Sequence, residues 1–187
     1  MPAITTNDLK NGMTLELDNG LFTVVEFQHV KPGKGGAFVR TTLRNARTGA
    51  VIDRTFRAAE RVEQAILEKK DMQYVYADGD DYVFMDTVTF DQLTVAPSAL
   101  GNAAEYLVPQ AVANLAMYQG DIVSVEIPAS VELGVAEAEP GVQGDRVSGA
   151  RKPATLETGK VIQVPLFVNV GDRVRVDTRT GEYITRV

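Results

Sequence analysis

The sequence predicts an all-β protein composed of three small β-barrels. Short runs of strand-forming residues recur along the 187-residue chain, and most are joined by turns rich in glycine, asparagine and aspartate. Asp78-Gly79-Asp80-Asp81 and Gln119-Gly120-Asp121 are clear examples of such turns. Only Pro97 to Leu107 combines apolar residues at helical spacing with a proline at a favourable first position, so we expect one short helix.

The first predicted domain, residues 1–64, is a compact barrel. Asn19-Gly20 is a dipeptide preferred in type I′ turns, so we expect it to form the tight turn between the first two strands. The charged stretch from Ala58 to Ile66 lacks clear alternation and marks the predicted boundary to the next domain. The predicted strands are Thr14 to Leu17, Leu21 to Val30, Ala37 to Asn45 and Ala50 to Phe56.

The second and third predicted domains, residues 65–127 and 128–187, repeat this pattern. The motif G-D-x-V-x-V occurs at Gly120 to Val125 and again at Gly171 to Val176, a weak sign of duplicated barrels. Small barrels of this size are common platforms for nucleic acids. The predicted strands are Gln73 to Ala77, Tyr82 to Thr87, Ala111 to Tyr118, Ile122 to Ile127, Val131 to Val135, Val161 to Val170 with an interruption at Pro165, Asp172 to Asp177, and Glu182 to Val187.

A glycine-rich stretch between two predicted strands of the first domain is typical of a hairpin tip. Pro32 fixes one φ angle, and the glycines allow sharp turns on both sides of Lys34. Because the tip has no apolar side chain to bury, we expect Lys34 to project into solvent at the end of a thin arm. The predicted tip loop consists of Lys31, Pro32, Gly33, Lys34, Gly35 and Gly36.

Charge is unevenly distributed along the chain, whose net charge is −6. Residues 1–64 carry 9 basic and 7 acidic residues, residues 65–127 carry 2 and 10, and residues 128–187 carry 8 and 8. Between positions 28 and 61 the local charge is +6, which is suited to contacts with phosphate groups. The candidate RNA-binding residues in this block are Arg40, Arg44, Arg54 and Arg57.

The composition argues against an enzyme. The chain has no cysteine, and His29 is its only histidine, so Ser-His-Asp triads, thiolate nucleophiles and zinc sites are not expected. We expect His29 to cover the barrel or support the hairpin and not to act as a base. No run approaches the ~20 apolar residues of a membrane span, so we expect a cytoplasmic protein without membrane contact, metal or cofactor.

Three motifs resemble the bacterial translation elongation factor P family, and the resemblance covers the whole chain. They are the tip Lys31-Pro32-Gly33-Lys34-Gly35, the segment from Lys152 to Val168, and the ending from Val176 to Tyr183. The resemblance implies a KOW-like (SH3-like) N-terminal barrel and two OB-fold barrels, arranged in an L shape that mimics tRNA. It further implies a monomer that binds the 70S ribosome beside the peptidyl-tRNA and relieves stalling at consecutive prolines.

The same resemblance assigns roles to individual residues. Lys34 matches the tip residue that contacts the CCA end, and in many members a modifying enzyme extends this lysine. Because Gly36 stands where unmodified members often have proline, we expect Lys34 to be modified in the source organism. The loop residues Gly144, Asp145 and Arg146 match a loop near the exit-site codon, and Tyr183 and Arg186 match contacts to the anticodon stem.

The alternative to this interpretation is a KOW/OB RNA-binding protein that acts outside the ribosome, on messenger RNA or in transcription.

Overall fold

The computed structural model describes residues 2–141 and 149–187. Within these residues, sixteen strands form three sheets. Helical structure in the same residues is limited to α1 (Pro97–Leu100) and two 3₁₀ turns, Thr6–Asp8 and Gly101–Glu105. The all-β class with three sheet domains, predicted from the sequence, is therefore confirmed.

Six strands form the first sheet: β1 (Ala3–Thr5), β2 (Thr14–Leu17), β3 (Gly20–Val30), β4 (Phe38–Asn45), β5 (Val51–Arg57) and β6 (Arg61–Ala65). Their order across the sheet is β1-β6-β2-β3-β4-β5.

Five strands form the second sheet: β7 (Glu68–Asp78), β8 (Asp81–Met85), β9 (Gln92–Val95), β10 (Val112–Tyr118) and β11 (Asp121–Glu126). Five more form the third: β12 (Ser130–Ala138), β13 (Arg151–Leu156), β14 (Val161–Pro165), β15 (Arg173–Asp177) and β16 (Tyr183–Arg186). The strand orders are β11-β10-β7-β8-β9 and β14-β13-β12-β15-β16.

The chain divides into two compact units. One comprises Met1–Lys70 with Leu115–Ser124, and the other comprises Asp71–Asn114 with Val125–Val187. Three domains with boundaries after residues 64 and 127 remain a prediction.

Strand β4 contributes to the core of the first unit through alternating burial. On β4, Val39, Thr41 and Leu43 are buried, whereas Arg40 and Arg44 are exposed. The Thr41 hydroxyl donates a hydrogen bond of 2.7 Å to the backbone carbonyl of residue 54, so this buried polar group is satisfied. The alternation therefore directs both arginines of this strand into solvent.

The first hairpin turn lies one residue earlier than the sequence predicts. Leu17 pairs with Gly20, and the two residues between them, Asp18 and Asn19, have φ angles of +48° and +62°. A type I′ turn needs positive φ at both central positions, and Asp and Asn tolerate this conformation. Gly20 instead begins β3, where a Cβ atom would lie 2.9 Å from the ring of Phe22. The glycine is therefore required for close packing and not for the turn.

The stretch predicted as a domain junction is largely a strand. β6 pairs with β1 and with β2, for example Ala3 with Glu63 and Thr14 with Ala65. Val62 and Ala65 of this strand are buried. The sequence did not reveal β6 because its exposed positions are charged and its apolar positions are few.

In the second unit, the third sheet encloses a valine- and leucine-rich core. Leu133, Leu156, Val164, Val174 and Val176 are at most 1% exposed. Four strands found in the structure, β6 together with β1, β9 and β13, have no counterpart among the predicted strands. β14 ends at Pro165 and does not continue to Val170 as predicted. Proline has no N–H group with which to continue the ladder.

The G-D-x-V-x-V motif has the same local structure in both copies. Gly120 and Gly171 have φ angles of +87° and +90°, and strands β11 and β15 follow them. A left-handed glycine followed by an alternating strand therefore explains the motif in each case.

An ion pair between Asp177 and Arg179 lies at the turn of the β15–β16 hairpin. The Arg179 guanidinium donates to the Asp177 carboxylate at 2.7 Å, and the backbone N–H of Arg179 donates to the same group at 2.8 Å. These hydrogen bonds lower the pKa of Asp177 from 3.8 to about 2. Because the folded-state pKa is lowered, this contribution to stability is present above pH 3.8 and is lost as the pH falls towards 2.

We predict that Arg179→Ala raises the pKa of Asp177 towards its ordinary value, because the guanidinium hydrogen bond is the largest cause of its lowering. NMR titration of the side-chain carboxyl carbon measures this directly. Arg175→Ala is a suitable control, since Arg175 pairs with Glu132 instead. An Asp177 pKa that stays near 2 in Arg179→Ala would contradict the assignment.

Candidate nucleic-acid interface

The central feature of the candidate site is a long hairpin formed by β3 and β4. The two strands pair from Phe22 and Asn45 out to Val30 and Phe38, with a bulge between Val24 and Glu26. All six tip residues from Lys31 to Gly36 are exposed. The sequence prediction of an exposed tip at these residues thus agrees with the structure.

One glycine of the tip adopts a left-handed backbone. Gly35 has a φ angle of +116°, whereas neither Gly33 nor Gly36 is left-handed. A Cβ atom on Gly35 would lie 3.8 Å from the Pro32 ring, so there is room for a side chain but the φ angle disfavours one. The reversal of direction is therefore made directly after Lys34.

Lys34 presents its ammonium group to solvent. Within the described part of the chain, no hydrogen bond or ion pair engages its Nζ atom. An ammonium group offers three N–H donors and a full positive charge. The side chain can therefore bind phosphate or hydroxyl oxygens without first breaking a bond within the protein.

An open cleft lies where the arm joins the sheet. It has a volume of about 520 Å³ and is lined in part by Asn7, His29, Lys31 and Phe38. His29 is exposed, and its ring meets the Phe27 ring edge to face at 5.6 Å between centroids. Both residues belong to β3, so this contact lies within one strand, and the structural role of His29 stays a prediction. No sequence motif indicated that Asn7 and Phe38 line the same cleft as His29.

The predicted basic block is divided between the two faces of the first sheet. Arg40 and Arg44 share the solvent face of β4, and Arg57 lies on the same face because it pairs with Phe38. Arg54 pairs with the buried Thr41 and therefore lies on the opposite face. Arg54 and Arg57 are three residues apart on one strand, and residues at odd spacing face opposite sides of a sheet. This spacing could have shown from the sequence that the two arginines do not share a face.

Arg54 is engaged within the protein. Its guanidinium forms an ion pair with Asp18 at 2.5 Å and lies 5.2 Å from the centre of the Phe56 ring. By contrast, Arg40, Arg44 and Arg57 form no ion pair within the described residues. Three of the four predicted arginines thus form an available cationic face, and Arg54 contributes mainly to the fold.

The solvent face also carries acidic residues. Glu26 and Asp53 lie on either side of Thr42, and the Thr42 hydroxyl donates to Asp53 at 2.9 Å. Arg40 and Arg44 flank this acidic row along β4. Such a face is suited to contacts with phosphates at separate points and not to a continuous basic strip.

The predicted C-terminal contacts lie on β16. Tyr183 is half-buried against the core of the third sheet. Arg186 is 3.6 Å from the Asp172 carboxylate and 5.1 Å from the centre of the Phe167 ring. Gly144, Asp145 and Arg146 lie outside the described residues.

Clusters of potential metal ligands and long apolar helices are both absent from residues 2–141 and 149–187. No group of three or more His, Asp or Glu side chains there could hold a metal ion. No helix in that part of the chain is long and apolar enough to cross a membrane.

Comparison with known proteins shows which class this arrangement belongs to. The model for the "Elongation factor P (EF-P) KOW-like domain" matches residues 5–62, and that for the "Elongation factor P (EF-P) OB domain" matches residues 67–125. "Elongation factor P, C-terminal" matches residues 131–186. The chain is therefore a translation factor assembled from KOW-like and OB domains.

Curated relatives identify the family. Elongation factor P of Salinispora tropica is 58% identical over 182 residues, covering 97% of this chain and 98% of the relative. Elongation factor P of Moorella thermoacetica is 57% identical over 183 residues, covering 98% and 99%. The chain belongs to the elongation factor P family, as the sequence motifs indicated.

A solved structure shares the fold at low sequence identity. Eukaryotic translation initiation factor 5A from Methanococcus jannaschii has a TM-score of 0.54 and 23% identity, covering 66% of this chain and 93% of that chain.

Proposed function

We propose that this chain binds the ribosome beside the peptidyl-tRNA and promotes peptide-bond formation at consecutive prolines. The single observation that carries the proposal is the exposed ammonium group of Lys34 at the end of the β3–β4 arm. Membership of the elongation factor P family supplies the translational context.

The arm is suited to reaching a narrow target. From Val30 to Lys34 the backbone extends at most roughly 13 Å, and the lysine side chain adds several more ångströms. The tip carries no bulky apolar group, so it can enter a crowded RNA cavity. The paired strands behind it hold its direction. We therefore assign the first sheet the task of aiming Lys34 at the CCA end.

Lys34 acts by positioning the reactants. Proline is a poor nucleophile with a restrictive ring, so the reaction gains from holding the peptidyl end in a reactive orientation, an effect that can supply several kcal/mol. The three N–H donors of Lys34 bind phosphate or ribose oxygens of the CCA end. No proton transfer by the protein is required, so the factor is not an enzyme in its own right.

A modification of Lys34 would extend this contact. The flexible glycine at position 36 makes ordering of the tip entropically costly, and a longer chain with more hydrogen-bonding groups offsets that cost. We propose that a dedicated enzyme modifies Lys34 in the source organism, and that the factor acts as a monomer in the cytoplasm.

We assign supporting contacts to the C-terminal sheet. Arg186 keeps donor capacity for RNA because a guanidinium has five N–H groups, more than its ion pair with Asp172 at 3.6 Å occupies. Tyr183 contributes the exposed part of its ring. Together with Gly144, Asp145 and Arg146, these residues are proposed to contact the anticodon stem and the exit-site codon.

We predict that Lys34→Ala abolishes stimulation of Pro-Pro-Pro synthesis while changing the free energy of unfolding by no more than about 0.5 kcal/mol. The reason is that Lys34 is exposed and makes no contact that the fold requires. A reconstituted translation assay measures the first effect, and urea denaturation measures the second. A variant that unfolds, or one that keeps full activity, would contradict the assignment.

The same assay tests the modification. Protein purified from its own host is compared with protein made in a foreign host, and tryptic mass spectrometry gives the mass at Lys34. Full activity with the mass of unmodified lysine would overturn the proposed modification and leave the role of Lys34 intact.

We predict that replacing Arg40, Arg44 and Arg57 together by Gln flattens the salt dependence of ribosome binding. If all three contact phosphates, the slope of log K against log salt concentration falls by about 2 to 3. Co-sedimentation over a range of salt concentrations measures it.

Arg54→Gln is the matched control, because Arg54 is occupied by Asp18 and should leave the slope unchanged. An unchanged slope in the triple variant would contradict the assignment of these arginines. A wild-type chain that binds free RNA but stays in the supernatant when ribosomes are pelleted would favour the alternative function outside the ribosome.

A further inference from the structure

The turn between β8 and β9 exposes two large apolar side chains. Val88 is 82% exposed and Phe90 is 69% exposed, the highest values among the large hydrophobic residues of the described part of the chain. Both lie within the six residues from Asp86 to Asp91, which turn the chain between the two strands. A single exposed apolar residue is ordinary, but two at the apex of one turn form a concentrated contact point.

This turn is held rigidly by its own hydrogen bonds. The buried Asp86 carboxylate accepts bonds from the backbone N–H groups of Val88 at 2.8 Å and Thr89 at 3.2 Å. The backbone N–H of Phe90 donates to the Asp86 carbonyl, and that of Asp86 donates to the Asp91 carbonyl, each at 2.9 Å. The Thr89 hydroxyl donates to the Asp91 carboxylate at 2.8 Å. The apolar pair is thus presented in a fixed conformation, which lowers the entropic cost of binding.

Phe90 has a backbone conformation that is unfavourable for a bulky residue. Its φ angle is +62°, a region that favours glycine, asparagine and aspartate and disfavours bulky residues. Its ring gains little from the core, because most of its surface is exposed. Residues with a strained backbone are found more often at functional sites, including binding sites.

The charge of the surrounding segment indicates what the turn can bind. From Asp71 to Asn114 the sequence has seven acidic residues and no Lys, Arg or His. Such a segment repels the phosphates of RNA and attracts a Lys- and Arg-rich protein surface. At many protein interfaces, a central aromatic side chain is surrounded by polar or charged residues that complement those of the partner.

We propose that the β8–β9 turn docks on a Lys- and Arg-rich protein of the ribosome, with Val88 and Phe90 entering an apolar pocket on it. This inference rests on the proposed function, since it takes the ribosome as the binding partner. It assigns the acidic second sheet to protein contact, whereas the arginines of the first sheet contact RNA.

Phe90→Gly separates this role from a structural one. Glycine accepts the positive φ angle, so the variant should keep or slightly raise the melting temperature while losing the aromatic anchor. We expect its dissociation constant for purified 70S ribosomes to rise about tenfold. Val112→Ser is the matched control, because Val112 is also exposed, at 49%, and lies on the same sheet but outside the turn.

A photo-crosslinking amino acid identifies what the turn contacts. Benzoylphenylalanine in place of Phe90 should crosslink to a basic ribosomal protein when the chain is bound to purified ribosomes, whereas the same probe in place of Tyr76 should not give that product. A crosslink from position 90 to ribosomal RNA, or none at all, would overturn the inference.

The outcomes for the two proposals are distinct. If wild-type protein binds ribosomes and Phe90→Gly binds equally well, the docking role is wrong and the proposed function stands. If wild-type protein does not bind ribosomes, the proposed function fails and this inference fails with it.

Discussion

The register of the β3–β4 hairpin is the constraint on which the rest of the first unit depends. Val24, Val39 and Leu43 are buried in the core, and this burial determines which residues of β4 and β5 face solvent. A shift of one residue would bury Arg40 and Arg44 and expose the core residues between them. The same pairing continues beyond the core to Val30 and Phe38, and so supports the loop that carries Lys34.

Positive and negative charges are concentrated in different parts of the chain. The first sheet presents three arginines and Lys34 without intramolecular ion pairs in the described residues, so it is suited to RNA. The segment from Asp71 to Asn114 carries only acidic charges, so it is suited to a basic protein. Under the functions proposed above, charges of opposite sign on different parts of the chain would contribute to orientation as well as to affinity.

Local features were the most predictable from sequence. The glycines and proline around Lys34 indicate an exposed tip because few other structures use that combination. The turn at Asp18 and Asn19 was misplaced by one residue, since Gly20 is needed for packing against Phe22 and the sequence cannot show that contact. The strand β6 and the ion pair between Arg54 and Asp18 depend on residues distant in sequence, which only the folded chain brings together.

We propose that Lys34 positions the CCA end of the peptidyl-tRNA. A cryo-EM reconstruction of the chain bound to ribosomes stalled within a run of prolines tests this role. We expect the Lys34 side chain, with any group attached to it, to lie within hydrogen-bonding distance, about 3 Å, of the CCA nucleotides. A bound chain whose tip points away from those nucleotides would contradict it.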